Sequence, residues 1–100
     1  MNIAWSLYAV EDRTAIFDYI EQDDPASAVA IDERIMEQTA LLARFPGCGR
    51  LGRVPGTREL IINRTPFLVV YRIRKKGVVI LRILHGAQCW PDNVTGQRSA

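Results

Sequence analysis

Metal-ligating residues are scarce in this chain, which has one histidine, His85, and two cysteines, Cys48 and Cys89. A histidine-rich zinc site cannot be assembled from them, and a mixed set of all three would still lack a fourth ligand. The cysteines form neither a C-x-x-C pair nor the dense pattern of a small disulfide-bonded secreted scaffold. We therefore expect reduced, structural cysteines and no bound metal.

Long hydrophobic runs are also missing. The longest, residues 67–71, is far shorter than the roughly 20 residues that cross a bilayer. Residues 1–5 contain neither a cationic leader nor a long apolar stretch. We expect a cytoplasmic protein that does not contact the membrane. The glycine-rich stretch 47–56 lacks the G-x-x-x-x-G-K-S/T pattern of nucleotide phosphate loops, so we expect no cofactor.

The composition is nevertheless that of a folded protein, with 48% hydrophobic and 24% charged residues among 100. A chain of this length buries roughly two thirds of its unfolded surface around a single core. That burial is enough to offset the conformational entropy of folding. We predict one domain over residues 1–91, followed by a disordered polar tail at 92–100.

Charge is strongly segregated along the chain, although the formal net charge is only +2. Residues 8–39 contain nine acidic side chains against two basic ones. Residues 44–82 contain ten basic side chains, and Glu59 is the one acid among them. Such asymmetry indicates a surface for phosphate or for an acidic protein segment.

Hydrophobic periodicity divides the chain into a helical pair and four strands. A strand at 3–7 precedes a helix at 10–22, whose apolar residues follow one stripe. Asp24 as N-cap and Pro25 at the first helical position begin a second helix, which ends near Arg44. A connection rich in glycine and proline then leads to three strands joined by short turns, at 58–62, 67–74 and 78–85.

This order predicts an α+β domain, β-α-α-β-β-β, with the helical hairpin packed on one face of an antiparallel sheet. The last three strands must be antiparallel neighbours because their links are too short for crossovers. Alternation along the last strand places Arg82 on the face that the helices leave open. A three-residue turn sets Arg72 on the same face, opposite Ile80 and one diagonal step from Arg82. We therefore predict two guanidinium groups on one helix-free surface.

The same alternation turns Val79, Leu81, Ile83 and His85 toward the helices. We interpret His85 as a residue that caps the core at the end of the strand. A bulge near Gly86 would instead turn the imidazole outward, where it could transfer protons near neutral pH.

Three stretches in series carry a resemblance to a known family. They are Gly-Arg-Leu-Gly-Arg-Val-Pro-Gly-Thr-Arg-Glu-Leu at 49–60, Thr-Pro-Phe-Leu-Val-Val-Tyr-Arg at 65–72, and Ile-Leu-Arg-Ile-Leu-His-Gly-Ala-Gln at 80–88, followed by Trp90 and Pro91. Together with the element order they resemble the RelE/ParE toxins of bacterial type II toxin–antitoxin modules, and the ParE-like branch more closely. The resemblance implies a growth-inhibiting, plasmid-stabilising toxin held inactive in a hetero-oligomer with its cognate antitoxin.

The branches of this family differ in their targets. ParE-like toxins act on DNA gyrase without nuclease chemistry, whereas RelE-like toxins cleave messenger RNA in the ribosome. Cleavage through the ribose 2′-OH needs a base, an acid and cations for the phosphorane charge. Phe67 stands where RelE-like enzymes place an arginine, and Ala87 or Gln88 where they place arginine or histidine. We therefore expect a gyrase-binding inhibitor that is not an enzyme. The alternative is a ribosome-dependent endoribonuclease with Arg58, Arg82 and His85 as its catalytic residues.

The residues predicted to contact the target or the antitoxin are basic or aromatic. The planar guanidinium of arginine can bind a phosphate or carboxylate group through two hydrogen bonds. A tryptophan near the chain end can act as an apolar anchor for a partner. The alternative interpretation is a solvated sheet face that Glu59 partly neutralises. The predicted contact residues are Arg50, Arg53, Arg58, Arg72, Arg82 and Trp90.

Overall fold

The helices and strands follow the predicted order. The computed structural model describes residues 1–86, so Trp90 and the predicted tail at 92–100 lie outside the described part of the chain. The helices are α1 (Leu7–Glu21) and α2 (Pro25–Ala40), and two short 3-10 turns follow α2. The strands are β1 (Asn2–Trp5), β2 (Arg50–Leu51), β3 (Arg58–Ile61), β4 (Phe67–Arg74) and β5 (Gly77–His85).

The strands form one sheet in the order β1-β5-β4-β3-β2. β1 pairs in parallel with β5, whereas the other neighbours are antiparallel. The α+β class and the three consecutive antiparallel strands are thus confirmed. β2 was not predicted, because its two residues lie within the glycine-rich connection and carry no strand pattern of their own.

Local capping chemistry sets the starts of both helices. The Asp24 side chain accepts a hydrogen bond from the Ser27 N–H, and Pro25 occupies the first turn, as predicted. α1 begins three residues earlier than the periodicity indicated, because Ser6 acts as its N-cap and accepts from the Ala9 N–H. The two helices therefore form the expected hairpin.

The main core lies between the hairpin and the sheet. Ala9 of α1 and Ile35 of α2 pack into one cluster with Val69, Tyr71 and Ile80 of the sheet. All five residues are buried. Both helices therefore pack on one sheet face, which leaves the opposite face, the helix-free face, for other contacts.

The register between β4 and β5 contains a bulge that the sequence pattern does not reveal. Tyr71 lies opposite Ile80, and the next pair is Val70 opposite Arg82. Leu81 is therefore an extra residue on β5, and the bulge shifts the alternation of every residue that follows it.

The bulge and the turn correct two predictions. Val79 and Leu81 belong to the cluster on the helix-free face, so the prediction that they face the helices was wrong. The β4–β5 turn has two residues rather than three, because Arg74 pairs with Gly77. Arg72 consequently lies opposite Val79 and not opposite Ile80.

The helix-free face has a small apolar cluster of its own. Leu68 and Val70 of β4 and Leu81 and Leu84 of β5 are buried there, and Val54 from the glycine-rich connection packs against them. The connection thus folds back over the sheet. It brings Arg50 and Arg53 to the helix-free face, where the sequence predicted the strand arginines Arg72 and Arg82.

Candidate partner-binding surface

Glu59 organises the glycine-rich connection. Its side chain is only 1% exposed, and its carboxylate accepts from Nε and Nη2 of Arg50 at 3.2 and 2.9 Å. The second carboxylate oxygen accepts from the Arg53 N–H at 2.9 Å and lies 3.7 Å from the Arg53 guanidinium. Both arginines are half-exposed beyond this carboxylate. One buried acid therefore fixes the position of two cations at the surface.

The electrostatics of Glu59 match this anchoring role. Burial by itself would raise the pKa of Glu59, but the Arg53 N–H and the Arg50 guanidinium outweigh it and hold the pKa below its ordinary value. A carboxyl group whose pKa is lower in the folded state stabilises the fold above its unfolded pKa, and this stabilisation is lost as the pH falls through the folded value. The connection should therefore loosen in acid.

Replacing Glu59 with glutamine is expected to lower the free energy of unfolding by about 1–3 kcal/mol at neutral pH, because the charge-assisted bonds to Arg50 and Arg53 are lost. The loss should shrink as the pH falls from about 4.3, the ordinary pKa of glutamate, through the lower pKa of folded Glu59, since the wild-type carboxylate becomes protonated over that range. Urea unfolding at several pH values measures it, with exposed Glu37→Gln as the control. Equal pH profiles for the two variants would contradict the anchoring role.

Arg72 lies on the helix-free face beside the connection. A Cβ built on Gly56 would lie 3.8 Å from Nη2 and 3.9 Å from Nε of Arg72. Gly56 has φ +81°, which favours glycine at this turn. The Nε of Arg72 is buried and has no hydrogen-bond partner within residues 1–86. This N–H is therefore an unsatisfied buried donor.

Arg58 does not lie on this face. It pairs with Tyr71, whose side chain belongs to the main core, and its Nη1 donates to the carbonyl of Gly49 at 2.8 Å and of Gly47 at 3.3 Å. Its guanidinium thus holds the end of the turn after α2. Of the predicted contact residues, Arg58 therefore lies on the helix side of the sheet, because its register position turns it away from the face that carries Arg72.

Tyr71 secures the same turn from within the core. Its hydroxyl donates to the carbonyl of Pro46 at 2.7 Å and accepts from the Gly49 N–H at 2.9 Å. A Cβ on Gly49 would lie 2.5 Å from that hydroxyl oxygen, so the turn tolerates only glycine there without rearrangement. Burial raises the pKa of Tyr71, so the phenol keeps the proton that it donates.

Arg82 lies opposite Val70, on the helix-free side of β5, but its guanidinium is held by α1. Its Nε and Nη2 donate to the two carboxylate oxygens of Asp12 at 2.7 and 2.8 Å, and its guanidinium lies over the Tyr8 ring. Asp12 also accepts from the Ile83 N–H at 2.9 Å. The hydrogen bonds to Asp12 raise the pKa of Arg82. Arg72 and Arg82 therefore share the side of the sheet that the sequence predicts, but the Arg82 guanidinium is engaged by Asp12 and is not left open as the prediction implied.

His85 lies opposite Phe67, with the two rings edge to face and their centroids 5.6 Å apart. Phe67 packs against the main core, so His85 is on the helix side of the sheet. Arg58 lies opposite Tyr71, which is four residues further along β4 than Phe67, the partner of His85. Arg58 and His85 are therefore about 13 Å apart along the strand direction. Because Arg82 is engaged by Asp12, these three candidate catalytic residues do not converge on one open site.

Sequence reasoning missed Asp12 and the hydroxyl of Tyr71. Asp12 lies on the polar side of a helix, and its partner Arg82 is 70 residues away, so no local signal marks the pair. Glu59 did carry a signal, since it is the one acid in a strongly basic stretch. Trp90, the remaining predicted contact residue, lies outside the described residues, as do Ala87 and Gln88.

In residues 1–86, no group of three or more His, Cys, Asp or Glu side chains could hold a metal ion. No helix within this range is long and apolar enough to cross a membrane. The ion pairs among these residues join arginines to aspartate or glutamate.

Comparison with known proteins agrees with this architecture. Residues 3–90 match the family model described as the ParE toxin of the type II toxin–antitoxin system parDE. A chain of the chromosomal ParDE toxin–antitoxin system from P. aeruginosa superimposes with a TM-score of 0.78 at 34% identity, over 85% of this chain and 95% of that one.

Two curated relatives are toxins by name. Toxin Y4kP of Sinorhizobium fredii is 40% identical over 91 residues, which are 91% of this chain and 94% of that protein. Toxin RelE2 of Caulobacter vibrioides is 35% identical over 87 residues, which are 87% of this chain and 97% of that protein. These matches define the class as toxins of type II toxin–antitoxin systems. Within that class, the chain belongs to the ParE toxin family.

Proposed function

We propose that this toxin inhibits bacterial growth by binding DNA gyrase, without cleaving nucleic acid, and that a cognate antitoxin neutralises it in the cytoplasm. The observation that carries the proposal is the match of residues 3–90 to the ParE toxin family. The engagement of Arg58 and Arg82 by the chain itself supports binding over catalysis, because a phosphorane needs free cations close to its charge.

A paired assay tests the target. Purified toxin is incubated with gyrase and supercoiled DNA, and in parallel with ribosomes programmed with messenger RNA. Gyrase-cleaved DNA is expected to accumulate while the message stays intact. Cleavage of the message by the wild-type toxin, but not by His85→Ala or Arg58→Ala, would overturn the proposal. It would identify the toxin as a ribonuclease instead.

The antitoxin is proposed to bind at the β2 edge of the sheet. β2 is the last strand in the sheet order, so its outer edge is not paired within the described residues. Leu51 of β2 and Ile61 of β3 are 78% and 50% exposed. By strand alternation they flank this edge on opposite faces. An added strand could pack its alternate side chains on both of them.

The charges at this edge favour an acidic partner segment. The side chains of Arg50 and Arg53 are half-exposed to solvent. Both guanidinium groups pair with the single buried carboxylate of Glu59. A shallow groove of about 270 Å³ runs beside them and is lined in part by Cys48 and Ile61. An extended segment with apolar and acidic side chains in alternation would therefore match the edge in both shape and charge.

A further inference from the structure

Four cations at the tip of the β4–β5 hairpin have no role in the contacts described above. They are Arg72, Arg74, Lys75 and Lys76, named here the hairpin cluster. Within residues 1–86 their side chains form no ion pair with any acid, unlike Arg50, Arg53 and Arg82. The positive charge of the hairpin cluster is therefore left for an external ligand.

Arg72 is the partly buried member of the hairpin cluster. Its Nε–H lies beside Gly56 and lacks an acceptor within the part of the chain that the structure places. A buried donor without a partner is unfavourable, and an external ligand reaches this one only after the guanidinium moves outward. The remaining three side chains are exposed.

The wider charge distribution orients any polyanion toward the same face. Arg72 is paired with Val79, which packs on the helix-free face. The helical hairpin, which lies within a stretch of nine acidic and two basic residues, covers the opposite face. The protein thus presents a positive side and a negative side, and a negatively charged surface would be attracted to the first and repelled by the second.

We propose that the hairpin cluster binds the phosphodiester backbone of double-stranded DNA. Exposed pairs between a cation and a single carboxylate contribute little, whereas a cluster of cations on a polyanion gains from the release of condensed counterions. Arg72 and Arg74 lie on the same face about 7 Å apart, which lets each contact a separate phosphate of one strand. This binding reads no base sequence, since phosphates carry none.

The proposal concerns DNA alone and does not depend on gyrase as the target. It is tested by fluorescence anisotropy with a short labelled duplex and purified toxin at salt concentrations between about 50 and 200 mM. With three to four phosphates neutralised, the plot of log K against log salt should have a slope between about −2.7 and −3.6. Arg72→Gln combined with Arg74→Gln should reduce the magnitude of the slope by about 2 and weaken binding about tenfold or more at low salt.

A matched double variant controls for net charge. Arg44 and Arg64 are exposed and lie away from the hairpin tip, Arg64 being in the turn at the other end of β4. Arg44→Gln with Arg64→Gln removes the same charge and should leave the slope within error of wild type. Arg74→Gln with Lys76→Gln repeats the test without touching the partly buried Arg72.

Three results would overturn the proposal. The first is no measurable binding of the duplex by wild-type toxin at low salt. The second is an equal loss of binding in the hairpin-cluster and control variants, which would show only the effect of net charge. The third is tighter binding of a polyglutamate peptide than of DNA at the hairpin cluster, which would identify an acidic protein segment as its ligand.

Discussion

Replacing Asp12 with alanine is expected to lower the free energy of unfolding by about 3–5 kcal/mol. Asp12 and Arg82 have side chains only 16% and 14% exposed, and the pair is bidentate. Removing the carboxylate leaves a partly buried guanidinium without its counter-charge and the Ile83 N–H without its acceptor. Since the pair joins α1 to β5, the loss should appear as global destabilisation, measured by urea unfolding followed through tryptophan fluorescence.

Asp32→Ala is the matched control. Asp32 also forms a bidentate pair with an arginine, Arg13, but these side chains are 24% and 38% exposed and link the two helices to each other. Ion pairs contribute less as solvent reaches them, down to about 0–1 kcal/mol when exposed, so this variant should lose less stability than Asp12→Ala. If Asp12→Ala costs no more than Asp32→Ala, the link between α1 and β5 does not have the role assigned to it.

Replacing Leu51 and Ile61 together with alanine is expected to weaken antitoxin binding about 100-fold. Both side chains are exposed in the free toxin, and burying large apolar groups at the centre of an interface accounts for much of its affinity. Stability should change by no more than about 0.5 kcal/mol, because surface substitutions rarely exceed that. Titration calorimetry of the purified toxin with its antitoxin measures the dissociation constant.

Leu7→Ala is the control for this prediction, because Leu7 is as exposed as Leu51 but lies at the start of α1. It should bind the antitoxin like wild type. Wild-type affinity in the Leu51 and Ile61 double variant would show that the antitoxin binds elsewhere. Raising the salt concentration should weaken the complex only modestly if apolar burial dominates, since salt screens only the charged part.

Much of the fold was predictable because its determinants are local. The spacing of apolar residues located both helices, and Asp24 with Pro25 located the start of the second. Short turns between the last three strands required them to be antiparallel neighbours. The parallel pairing of β1 with β5 was not predictable in this way, since the two strands are far apart in sequence.

The candidate surface was less predictable because a single residue decided it. Leu81 is bulged, yet Leu-Arg-Ile at 81–83 reads like any other strand segment. Strict alternation therefore reverses the faces of residues 78–81, and the pairing of Arg82 with Asp12 depends on tertiary packing across 70 residues. The basic character of this half of the chain was nonetheless visible, because Glu59 is the one acid among residues 44–82.

The central claim, that this chain is an active toxin neutralised by its own antitoxin, is tested most directly by growth. The gene is expressed from an inducible promoter in bacteria, alone and together with the gene of the proposed cognate antitoxin. Growth should stop on induction of the toxin alone and resume when the antitoxin is co-expressed. Unchanged growth on induction, with the folded protein accumulating in the cells, would contradict the claim.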